Sequence, residues 1–172
     1  MKNIIYSLSL TITLLFSCCK EEEPCSTCFE NVVRCKINGK DWVSNCKSND
    51  PLFGCWDLLC YYYFRSGNGF EIRANSSVDN NSININVFSA NGGLINGLNN
   101  LASNEIGYSD FANSGNCSKY RRQDTNYFNN LVIEQIDTFN FIVIGSFSFK
   151  VHNECGDSTL ITDGYFKTKF LF

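Results

Sequence analysis

From Phe139 to Val151 every second residue belongs to one row: Phe139, Phe141, Val143, Gly145, Phe147, Phe149 and Val151. A period of two is the signature of a strand with one face buried. A strand of that length reaches about 40 Å, longer than most, so Gly145 near its middle is read as a bend or bulge. Leu131 to Asp137 precedes the row across a short turn at Asp137-Thr138. Gly164, Phe166, Thr168, Phe170 and Phe172 alternate again at the end of the chain. The expectation is a C-terminal antiparallel meander of three strands.

The same period recurs upstream. Cys35 and Ile37 share one face, Lys36 and Asn38 the other, and Asn38-Gly39 marks a hairpin turn before Trp42. Tyr61 to Arg65 is an aromatic run of strand type. Phe70, Ile72 and Ala74 alternate with Glu71 and Arg73; Ile83, Ile85 and Val87 alternate with Asn84 and Asn86; Asp79-Asn80-Asn81 reads as the turn between them. No stretch shows an apolar stripe at helical spacing with caps, and Ile95 to Ala102 is the one place for a short helix or turn. The 23 asparagines and 12 glycines against two prolines suit many tight turns. About eight to ten strands with little helix define an all-β fold: an antiparallel β-sandwich or a small β-barrel, calycin-like closure included. The 15 Phe, 8 Tyr and 2 Trp supply a core for one domain. A net charge of −3 without a basic run excludes nucleic acid as a natural partner.

The N-terminus reads as an address. Lys2 precedes an apolar run from Ile4 to Phe16, too short to span a membrane comfortably and of the length of a secretory signal. Leu15-Phe16-Ser17-Cys18 then resembles a bacterial lipobox, which makes Cys18 the lipidated residue; Cys19 as acceptor fits less well. Each buried acyl CH₂ contributes about 0.8 kcal/mol, so two or three chains hold firmly where one does not. Lys20, Glu21, Glu22 and Glu23 resemble the Bacteroidota tag that sends lipoproteins to the outer face of the outer membrane, although a charge run also serves as a solvated tether. Residues 1–17 are thus expected to be a lipoprotein signal peptide, 18–31 a lipidated acidic tether, and 32–172 a single β-domain. The membrane is the first expected partner, through the lipid, at the cell exterior.

Ten cysteines in 172 residues suggest an oxidising compartment. With Cys18 lipidated, Cys19 is the spare thiol. Cys25, Cys28, Cys35, Cys46, Cys55, Cys60, Cys117 and Cys155 are the candidate disulfide cysteines. A Cys117–Cys155 bridge joining two turn-like segments is favoured; Cys35–Cys46, Cys55–Cys60 and Cys25–Cys28 are local pairings. Zinc is the rival, but Cys25-x-x-Cys28 is only half of a zinc motif.

With its strands placed, the chain resembles a family of uncharacterised Bacteroidota surface lipoproteins over about residues 33–170. The resemblance rests on Asn38-Gly39-Lys40-Asp41-Trp42, on Ile144-Gly145-Ser146-Phe147-Ser148-Phe149 and on Ile161-Thr162-Asp163-Gly164-Tyr165-Phe166. Ile144 adjoins Gly145 directly, one place off the family's spacing, and the Cys46 to Cys60 insert lies outside its pattern. The resemblance implies an all-β domain at the surface or in the periplasm and no established activity.

No catalytic constellation emerges. His152 is the only histidine, lies near a strand end, and no G-x-S-x-G is present. Glu154, Asp157 and Asp163 are loop acids that a calcium site or glycosidase pair would use, and loop acids are most often solvated. Gly67-Asn68-Gly69 lacks the helix a phosphate loop needs. Tyr61, Tyr62 and Tyr63 are the candidate exposed aromatic contact, since alternation leaves some of these rings on the outer face. The expectation is a non-enzymatic binding or structural module for a glycan or protein partner, with no metal and no cofactor. A small-ligand barrel carrier and a hydrolase using loop carboxylates are the alternatives.

Overall fold

Asn38 and Gly39 both adopt positive φ, 50° and 83°. That geometry makes a two-residue hairpin turn whose twist matches its strands. It joins β1 (Val32–Ile37) to β2 (Lys40–Val43). The computed structural model describes residues 31–45, 56–63, 69–87, 97–101, 106–113 and 115–171. Cys18, Cys19, Lys20 to Glu23, Cys25, Cys28, Cys46, Cys55, Phe64, Arg65, Gly67, Asn68 and Phe172 fall outside those residues.

The other strands are β3 (Leu58–Tyr63), β4 (Gly69–Ser76), β5 (Asn81–Val87), β6 (Gly97–Asn100), β7 (Ile106–Asp110), β8 (Lys119–Tyr120), β9 (Arg122–Gln123), β10 (Asn130–Asp137), β11 (Ile142–His152) and β12 (Ser158–Lys169). They form two antiparallel sheets, a β-sandwich rather than a closed barrel. The larger, seven-stranded sheet runs β2-β1-β12-β11-β10-β6, and β9 pairs the end of β11 that β10 does not reach. The smaller runs β3-β4-β5-β7-β8. The expected meander is β10-β11-β12, in order and antiparallel.

Four local expectations change. The apolar row does not begin at Phe139: that ring is 88% exposed, and β11 starts at Ile142. The Asp137 carboxylate accepts from the amides of Phe139 and Asn140 and from the Asn140 side chain, which folds 138–141 into a turn with Phe141 at φ 58°. Gly97–Asn100 is strand β6, paired with β10, where a helix or turn was expected. The β4–β5 turn occupies 77–80, and Asn81 already belongs to β5. The aromatic strand begins at Leu58, three residues before Tyr61.

Gly145 and Gly164 explain how the long strands pack. Gly145 pairs across β11–β12 with Phe166, and Phe147 pairs with Gly164. Each ring lies over the other motif's glycine: a side chain at Gly145 would meet the Phe166 ring, and one at Gly164 would meet the Phe147 ring. The rings are 6.4 Å apart and stacked. The expected irregularity lies beside Gly145, on β10, where register shifts between Ile133 and Gln135. A second bulge falls at Asp163 (φ 52°), seen from both β1 and β11. Each bulge reverses the facing of the residues beyond it. Thr159 and Ile161 point inward before Asp163, and Phe166, Thr168 and Phe170 after it.

Between the sheets Phe70, Phe149 and Phe166 are fully buried with Ile72, Ile83, Ile85 and Leu131. Side chains and backbone also tie one sheet to the other. Trp42 Nε1 on β2 donates to Asn81 Oδ1 on β5 at 2.5 Å, and Asn81 Nδ2 donates to the Tyr108 hydroxyl at 3.4 Å. Asn45 N donates to Asn75 O at 2.9 Å. Beyond β12, Leu171 bonds β3 through Tyr62 N to Leu171 O at 2.8 Å and Leu171 N to Cys60 O at 2.9 Å.

Candidate functional site

β5 is a central strand whose outward positions are Ser82, Asn84 and Asn86. Asparagine is poorly represented in strands, so this row calls for a compensating role. Register fixes its neighbours. Leu59, Arg73, Asn84 and Gly107 form one cross-strand row, and Ser82 lies opposite Asn75 and Ser109. A shallow depression of about 700 Å³ covers this outer face of the five-stranded sheet. Trp56 and Leu59 line it, as do Phe111 and Arg121. A smaller one of about 440 Å³ continues it over Asn86 and Gly107 and shares Asn84, Ser109 and Arg121.

The rim carries aromatic rings and the floor carries amides. Trp56 is 69% exposed and Phe111 56%. Asn75 secures Trp56 by donating from Nδ2 to the Trp56 carbonyl at 2.9 Å. On the floor the Oδ1 atoms of Asn84 and Asn86 are buried and accept no hydrogen bond. A buried acceptor without a donor costs about 1–3 kcal/mol.

The tyrosine run divides as alternation requires. Tyr62, expected as part of an exposed contact, is instead a core residue 5.5 Å from Phe170. Tyr61 and Tyr63 are half-buried on the outer face, stacked 6.0 Å apart. Tyr63 donates to Glu71 Oε2 at 3.2 Å. Glu71 is only 5% exposed and holds Arg73 through a short Nε–Oε1 contact, so that guanidinium is neutralised.

The other candidates do not assemble. Asp163 pairs with Lys36 at 2.7 Å on the bulge, away from the 153–157 turn that carries Glu154 and Asp157. In that turn Asn153 is buried: its Oδ1 accepts from the amides of Cys155 and Asp157, and its Nδ2 donates to Asp157 and to the Cys117 carbonyl. Those contacts bring together Cys117 and Cys155, which form a disulfide with Cα atoms 5.4 Å apart. Cys35 and Cys60, expected in local bridges, are buried free thiols. Burial pushes the Cys35 thiol up to about 12 and raises that of Cys60 as well, with Glu71 adding to the latter, so both are inert. His152 faces Asp124, which also binds Lys150 at 2.8 Å. Among the described residues no group of three metal-ligating side chains exists.

Sequence reasoning singled out neither the Asn84–Asn86 row nor Arg121. The available signal was the polar outward half of β5, one residue in two. Compared with known proteins, the chain matches no family model, no curated protein and no solved structure. Fold and trough alone define its class: a disulfide-bonded β-sandwich with an amide-floored, aromatic-rimmed groove on its smaller sheet.

Proposed function

We propose that the protein is a lipid-anchored cell-surface module that binds glycans through the outer face of the five-stranded sheet and catalyses no reaction. The observation that carries this reading is the trough itself. Amides and hydroxyls that hydrogen-bond sugar hydroxyls lie between Trp56 and Phe111, rings suited to stack on pyranose faces. Anchoring at Cys18 rests on Leu15-Phe16-Ser17-Cys18, and outward display on Lys20 to Glu23. A carrier role would draw on a barrel cavity, whereas the two sheets here pack on Phe70, Phe149 and Phe166.

Two experiments test the two halves. A glycan array probed with the full chain should show binding that Trp56→Ala and Asn84→Ala each reduce; a blank array, or binding indifferent to both variants, removes the glycan reading. Cys18→Ala should release the protein from the membrane fraction, and protease added to intact cells should digest the wild type. Resistance to digestion until lysis removes the exterior placement.

A further inference from the structure

We infer that the trough selects acidic glycans, sugar chains bearing carboxylates, and that Arg121 is the residue that selects them. This rests on the glycan reading and adds the charge of the ligand. Arg121 stands where the chain leaves β8 in one sheet for β9 in the other, and its amide donates to His152 O at 3.1 Å. Its stem crosses the outer face at Gly107, where a Cβ would lie 3.9 Å from Arg121 Cγ. From there Arg121 lines the trough beside Asn84, which is opposite Gly107.

The charge balance of the trough is one-sided. Among the described residues its lining includes two arginines and no carboxylate, in a chain whose net charge is −3. Arg73 is neutralised by Glu71, but no ion pair among the described residues involves Arg121. A guanidinium held at such a site takes a carboxylate through two parallel hydrogen bonds. The polar side chains of Asn75, Ser82, Asn84 and Ser109 that line the same trough suit a ligand that is also rich in hydroxyls. Sugar hydroxyls supply donors and acceptors along the whole of such a chain.

The test titrates the full chain in detergent with tetramers of galacturonate and of alginate, each beside its methyl ester, which keeps the backbone and removes the charge. The wild type should bind the acids about tenfold more tightly than the esters, with the preference falling as salt rises. Arg121→Gln should abolish the preference, bringing acid and ester to equal affinity; Arg121→Lys should keep part of it. Arg121 is exposed, so circular dichroism should report intact folds for both variants. Equal affinity for acid and ester in the wild type, or a preference that survives Arg121→Gln, overturns the inference and leaves glycan binding standing. Failure of both acids to bind also overturns it, and the glycan reading is then decided by the array and its two variants. Tighter binding of oligoglutamate than of either sugar overturns both in favour of an acidic peptide.

Discussion

Replacing Gly164 with alanine sets two effects of opposite sign against each other. Glycine within a strand costs about 0.5–1 kcal/mol relative to alanine, so on conformational grounds alone the variant is more stable. The packing says otherwise: the new methyl carbon would lie 2.5 Å from both Phe147 Cδ2 and the Phe147 carbonyl oxygen. The ring can shift at some cost in the packed core, but the carbonyl moves only if β11 and β12 part. Overpacking of this kind costs about 1–3 kcal/mol, and backbone involvement puts Gly164→Ala toward the upper end. The net expectation is a loss of about 2 kcal/mol, or about 4–8 °C in Tm for a domain of this size. Chemical denaturation of wild type, Gly164→Ala, Phe147→Ala and the double variant measures it. Phe147→Ala alone should cost about 3–5 kcal/mol. The double variant should lose about 1 kcal/mol less than the two singles together, because removing the ring relieves half the clash. A Gly164→Ala protein at least as stable as wild type would refute the reciprocal seat, and so would strict additivity.

Reduction, or a Cys117→Ser/Cys155→Ser variant, should lower stability by about 3–4 kcal/mol in denaturant titration, from the chain entropy of a 38-residue loop. Iodoacetamide followed by peptide mapping should label Cys35 and Cys60 only after unfolding, since both thiols are buried and raised. Trp42→Phe should cost about 1–3 kcal/mol by calorimetry, because it strands the buried Asn81 oxygen that Trp42 Nε1 now satisfies. The Lys150 ammonium, followed by the Asn126 amide, holds the Asp124 carboxyl at about 2 against an ordinary 3.8. A depressed carboxyl stabilises the fold above its ordinary value and stops doing so as pH falls through its folded one. The denaturation midpoints of wild type and Asp124→Asn should therefore differ steadily above about pH 4 and converge toward pH 2.

What the sequence made legible was whatever depends on period and local turn chemistry. Val143 to Val151 form one unbroken row, and Asn38-Gly39 makes its turn. The parity reversal at Asp163 was hidden, because Ile161 and Phe166 are five apart and a strict period of two sets them on opposite faces. Phe139 and Phe141 continue the apolar row by residue type alone; what ends the strand is Asp137 capturing amides, an event of geometry. Arg121 was illegible for a different reason: its place in the trough depends on where the chain crosses from one sheet to the other, beside Gly107 on another strand.

The ties between the sheets acquire a mechanical meaning if the chain is tethered at Cys18 and grips a ligand with the smaller sheet. Tension then enters at Asn31, whose Oδ1 accepts from Lys169 N at 2.9 Å, and runs into β1. β1 lies between β2 and β12, so a pull along it loads two ladders in shear, with their hydrogen bonds sharing the force at once. The load must next cross to the smaller sheet, and Trp42–Asn81, Asn45–Asn75 and the Leu171 stitch to β3 are among the bridges that carry it. One of those bridges, Leu171, lies beyond β12 and outside every ladder of the larger sheet. Truncation just before it would therefore weaken the coupling between anchor and grip while leaving both in place.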